Sequence, residues 1–126
     1  MSRLLIAAIP AALLAGCQAS SPPETQLPPI ICSAGADCNE KWSRAVAWVT
    51  DNASYKIQTK TDHLIQTFNA TQNGDPGLMA TVDKVSVAPG KYEIRGRFGC
   101  LNTLVCSPLS PSQALAKFTD YVNAPK

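Results

Sequence analysis

The strictest pattern in the chain runs from Lys91 to Cys100. Tyr92, Ile94, Gly96, Phe98 and Cys100 fall on one side, and Lys91, Glu93, Arg95 and Arg97 on the other. A period of two, with one apolar and one charged side, predicts a half-buried antiparallel strand with one solvated face. Residues 78–87, LMATVDKVSV, predict the strand before it, and Ala88-Pro89-Gly90 the turn between them. If Val87 pairs with Lys91, Asp83 lies opposite Arg95; the Pro-Gly turn also permits a register shifted by one.

Upstream, Tyr55, Ile57 and Thr59 alternate with Lys56, Gln58 and Lys60, and residues 64–68 resume strand character. Residues 54–69 form either one long bent strand or a tight hairpin around Asp62-His63. The hairpin is favoured, although the turn lacks glycine. It pairs Ile57 with Phe68 and Thr61 with Leu64, and puts Tyr55, Ile57, Leu64 and Phe68 on one face. ATQNGDPG, residues 70–77, reads as a loop.

Two segments carry a helical period instead. Trp42, Ala45, Val46 and Val49 form one stripe, with Trp48 beside it, over about 38–51. Asp37 followed three residues later by Glu40 has the form of a capping box. Ser110, Pro111 and Gln113 open a second helix in the same way, with proline at the first helical position. Leu115, Phe118 and Val122 mark its inner face, with Ala114 and Tyr121 beside it. The expected fold is therefore α+β: a two-layer sandwich in which an N-terminal and a C-terminal helix lie on one face of an antiparallel sheet of three or four strands. The order is α-β-(β)-β-β-α.

The N-terminal residues follow neither period. Arg3 precedes an apolar run from Leu4 to Leu14, then Ala15-Gly16 and Cys17. A positive start, a short apolar run and small residues at its end are the parts of an export signal. The run is shorter than the about 20 apolar residues a membrane span needs. Leu14-Ala15-Gly16-Cys17 resembles the lipobox of bacterial lipoprotein precursors. That resemblance, confined to the first 17 residues, implies cleavage before Cys17, a diacylglycerol on its thiol and an acyl chain on the new amine. Multiple chains hold a protein to a membrane where one does so only marginally. Gln18 after the cysteine, rather than aspartate, implies by analogy with enterobacterial sorting an outer-membrane anchor facing the periplasm.

On this reading residues 1–16 are the signal peptide. Residues 17–31 are the lipid-bearing cysteine and a proline-rich tether, and 32–126 are one small domain. At about 3.1–3.3 Å per residue the tether spans roughly 40 Å. With Cys17 consumed by lipid, Cys32, Cys38, Cys100 and Cys106 remain. An even set in an exported chain reads as disulfides. Three connectivities exist; the local pairs Cys32–Cys38 and Cys100–Cys106 are favoured because short loops close most readily. The cysteine spacing is wider than the pairs zinc sites use, so no metal is expected.

Candidate chemistry is sparse. The formal net charge is +2, and loss of Arg3 brings it closer to neutral. No nucleic-acid partner is implied, and no aromatic-basic interleaving is present. His63, the single histidine, follows Asp62; in a strand the two point to opposite faces and cannot form a catalytic pair locally. No carboxylate pair, phosphate loop or dinucleotide fingerprint stands out, so no catalytic residue, cofactor or small-molecule substrate is expected. Lys91, Arg95 and Arg97 share the open face of one strand and are the candidate partner face.

The expected role is non-catalytic: a membrane-anchored envelope lipoprotein acting as an interaction or assembly module for another envelope protein. The alternative is a periplasmic inhibitor or capture domain that uses the Cys100–Cys106 loop as a rigid probe. An enzyme is the least favoured reading.

Overall fold

A computed structural model of the chain describes residues 26–102 and 104–125. The elements in chain order are β1 (Ile30–Ser33), α1 (Ala36–Asn52), β2 (Ile57–Lys60), β3 (Leu64–Thr67), β4 (Met79–Ala88), β5 (Lys91–Gly99) and α2 (Pro111–Asn123). The fold is α+β, with both helices over an antiparallel sheet. The sheet has five strands rather than three or four, in the order β1-β5-β4-β3-β2. The additional strand is β1. It begins at Ile30, two residues inside the stretch expected to be tether.

Strands β2 to β5 form a meander of consecutive neighbours. Strand β1 lies at the far edge, paired with β5, and α1 carries the chain from that edge to the opposite one. Inward-facing side chains line up across the strands: Ile30 with Ile94, and Gly96 with Val82 and Ile65. Ile30, Ile94, Val82 and Ile65 are buried against Ala45, Trp48 and Val49 of α1 and Ala114, Phe118 and Val122 of α2. Burial of one such large side chain contributes about 2 kcal/mol. Trp48, Phe98 and Phe118 form an aromatic triangle at its centre, edge to face, with ring centroids 5.3–5.6 Å apart.

The helical stripes differ in detail from those the sequence suggests. Trp48 is buried, whereas Val46 is only partly so; in α2 Thr119 is buried and Leu115 and Tyr121 are not. The Ser110 cap is as expected, with the full reciprocal box to Gln113. The Asp37–Glu40 box does not form. Gly35 occupies the cap position at φ 96°, and Asp37 inside the first turn accepts the Ser33 N–H at 2.8 Å instead. Glu40 pairs with Arg44 at 2.8 Å, one turn along.

Residues 57–67 form the hairpin. Its register places Ile57 opposite Thr67, not Phe68. A one-residue shift exchanges the two faces of a strand. The shift is confined to the bulge between Ile57 and Thr59. Nearer the turn Thr61 still faces Leu64 and Lys60 faces Ile65, and it is Ile65 and Thr67 that point inward, with Leu64 half-buried and Phe68 exposed. Thr61 makes the glycine-free turn workable: its hydroxyl accepts the N–H groups of His63 and Leu64.

Candidate functional site

Both helices cover the same face of the sheet. Among the described residues no helix covers the other face, which rises from three strand registers. Ile31, Glu93 and Val85 form one row; Arg95, Asp83 and Leu64 the next; Arg97, Thr81 and Gln66 the third. The alternation of β5 puts Glu93, Arg95 and Arg97 here, as its sequence pattern requires. Asp83 does lie opposite Arg95, although a bulge between Ser86 and Ala88 sets Ala88, not Val87, opposite Lys91.

The three cations of the candidate partner face are placed together but are not equivalent. Lys91 donates to the Ser33 hydroxyl at 2.7 Å. Arg95 pairs with Glu93 at 3.0 Å. Its guanidinium is pushed above its ordinary value chiefly by the hydrogen bond to Glu93, with smaller help from the charges of Glu93 and Asp83. Arg97 is exposed, one row farther along. The face is a mosaic of both charge signs with Ile31, Val85 and Leu64 set among them, not a basic patch.

The Cys100–Cys106 and Cys32–Cys38 disulfides are both present, with Cα atoms 5.7 and 4.9 Å apart. The first closes a loop at the end of β5. Leu101 and Asn102 donate their backbone N–H groups to the Asp75 carbonyl, and Ser107 donates to that of Pro76. The Asn102 side chain donates to the Gly74 carbonyl and accepts from the N–H groups of Leu104 and Val105. Asp75 is the hub of this arrangement. Its carboxylate accepts from Gly77 at 2.8 Å. That bond and one from the Tyr55 hydroxyl hold the carboxyl below its ordinary range, while Tyr55 is pushed up. The sequence offered no signal for this clamp beyond a loop rich in turn residues.

His63 is exposed in the hairpin turn, 3.5 Å from the Thr61 hydroxyl. With Asp62, Asn39, Lys84 and Tyr92 it lines a surface cavity of about 280 Å³. The other lining residues are Ala34, Gly35 and Cys38, and Cys38 is held in a disulfide. Lys84 there lies over the rings of Trp42 and Tyr92, 5.2 and 5.8 Å from their centroids. A larger groove of about 470 Å³ runs between α1 and the hairpin, lined by Trp42, Ser43, Val46, Lys60, Thr61 and Asp62. The indole N–H of Trp42 donates to the Thr61 carbonyl at its floor.

Among the described residues, no three His, Cys, Asp or Glu side chains gather as metal ligands. No helix among them is long and apolar enough to cross a membrane. Cys17, the proposed lipid attachment residue, lies outside the described residues, as does most of the tether. No protein-family model matches the chain, and no curated protein or solved structure is significantly similar to it.

Proposed function

We propose that the chain is a lipid-anchored envelope lipoprotein, held at Cys17 and facing the periplasm, most simply from the outer membrane. Its domain acts as a non-catalytic interaction or assembly module. The observation that carries this reading is the helix-free face of the sheet. Glu93, Asp83, Arg95 and Arg97 alternate there with Ile31, Val85 and Leu64 in fixed rows. Mixed charge around a few apolar side chains suits a protein partner better than a polyanion. Glu93 and Asp83 are half-buried on the sheet and lose less freedom on binding than free side chains would.

The test is crosslinking in the native envelope, followed by identification of what is joined to the chain. A double substitution, Arg95→Ser with Arg97→Ser, is expected to lower recovery of the crosslinked partner at unchanged stability, because both side chains are exposed. Undiminished recovery removes the sheet face from consideration. The anchor is tested separately by Cys17→Ser, which is expected to release the chain from the membrane fraction and block lipid addition. Continued retention with normal processing refutes the lipid reading. A second reading, capture of a protein target by the Cys100–Cys106 loop, is favoured by one observation: Leu104 on that loop is 94 % exposed.

A further inference from the structure

Four exposed large apolar side chains, the two most exposed among them, lie at one end of the domain; others, Val87 included, lie elsewhere. Leu104 is 94 %, Val105 61 % and Leu101 40 % exposed, all on the disulfide-closed loop. Phe68, exposed at 49 %, follows the last residue of β3 at the same end, where β5 reaches Gly99. Monomers seldom leave such side chains grouped without a use. The tip is also held in shape: the disulfide closes it, Asn102 caps its turn, and Asp75 and Pro76 bind its backbone.

The chain enters the domain from that same end. Strand β1 runs antiparallel to β5, so residues before Ile30 lie toward Gly99 rather than toward Lys91. Leu27, Pro28 and Pro29 keep this course, lining a cleft with Arg95, Gly96 and Leu115. Nine residue steps separate Cys17 from Gln26, the first described residue. At about 3.3–3.6 Å per residue they span roughly 30 Å at most. A lipid at Cys17 therefore keeps the entry end of the domain, and the apolar tip with it, within reach of the bilayer.

From this we infer that Leu104 and Val105, flanked by Leu101, rest in the interfacial layer of the leaflet that holds the Cys17 lipid. The inference rests on the anchor reading and deepens it: the lipid retains the protein, and the tip sets its orientation. Short apolar tips contribute little retention alone, but a second contact beside an acyl anchor acts with it. With the tip down, the strands stand away from the membrane and the helix-free face looks sideways along it, open to a neighbour.

The experiment uses the full chain, lipid-modified in a bacterial host and reconstituted into phosphatidylethanolamine–phosphatidylglycerol vesicles with brominated acyl chains. Leu104→Trp adds an indole at the tip, and Val87→Trp adds one at the opposite end, where Val87 is also exposed. Both positions lie outside the core, so the fold is retained. Trp42 and Trp48 are buried in the domain and supply the unquenched background. The expected result is loss of most of the added emission for Leu104→Trp and none for Val87→Trp. Equal behaviour of the two variants in chains that float with the vesicles overturns the insertion and leaves the anchor standing. So does a Leu104→Trp emission that lipid leaves unchanged and solubilised envelope protein shifts, the mark of protein capture. A chain that neither floats nor carries acyl mass on Cys17 overturns both readings.

Discussion

Gly96 lies so close to Phe118 that a Cβ on it would meet the ring at 2.9 Å, and the Phe98 ring at the same distance. Both rings belong to the aromatic triangle with Trp48, so neither can withdraw without disturbing the other contacts. Gly96→Ala is expected to destabilise the domain by about 1–3 kcal/mol, the usual cost of overpacking. Urea denaturation measures it. A wild-type midpoint would show that the triangle yields freely.

The Cys32–Cys38 bridge ties β1 to the first turn of α1, and both sulfurs are buried. A loop this short removes little unfolded-state entropy. Replacing both cysteines by alanine is expected to cost about 2 kcal/mol from loop closure. The same denaturation experiment reads the difference. Loss of the β1–β5 contacts alone, seen as faster amide exchange at Ile30–Ser33, is the expected structural signature.

The Asp75 clamp makes the loop sensitive to pH. Hydrogen bonds from Gly77 and Tyr55 lower the carboxyl's pKa in the folded chain. The ionised form is thus favoured by folding. Its stabilising effect is complete above the ordinary carboxylate range and fades as pH falls through the lowered value. Tyr55 shifts the other way, through its bond to Asp75. Its effect is complete below the ordinary phenol range and is lost as pH rises through the raised value. Exchange of the Leu101 and Asn102 amides should therefore accelerate, beyond the intrinsic pH trend, at both extremes. Asp75→Asn should abolish the acidic branch; an unchanged acidic profile rules the clamp out.

Ser110 and Gln113 cap α2 reciprocally. Ser110→Ala is expected to cost about 1 kcal/mol, measured as a lower thermal midpoint. Asn39→Ala, in the first turn of the other helix, is expected to have almost no effect, because α1 has no side-chain cap. Equal losses at the two positions would contradict the contrast between the helix starts.

Much of the fold is legible in the residues because the signals there are local. The alternation of β5, the Ser110 box and the two close cysteine pairs each act over a few positions, and each appears as read. Strand β1 is not legible. Four residues behind Pro28-Pro29 carry too short a pattern, and their pairing partner lies some sixty positions later. The hairpin register escaped for a related reason: a bulge between Ile57 and Thr59 moves the facing residues by one. The three cations of the outer face were legible as sharing a side. Asp83 opposite Arg95 was legible as one of two registers; the contact of Lys91 with Ser33 was not, since it depends on β1 lying alongside. The Asp75 clamp is long-range and left no trace in the spacing.

The position of β1 also separates local from long-range closure. A chain made from its N-terminus presents Ile30–Ser33 long before Lys91–Ile94 exists. Cys32 and Cys38 meet across six positions and need only α1 to begin. In an oxidising compartment the first staple needs no contact with the later strands. The second lies wholly beyond the meander, between Cys100 and Cys106. Neither bridge spans the molecule, so crossed thiol pairing requires the ends of the chain to find each other first. The pairing of β1 with β5 joins the most widely separated strands of the sheet, at the edge by which the chain enters it.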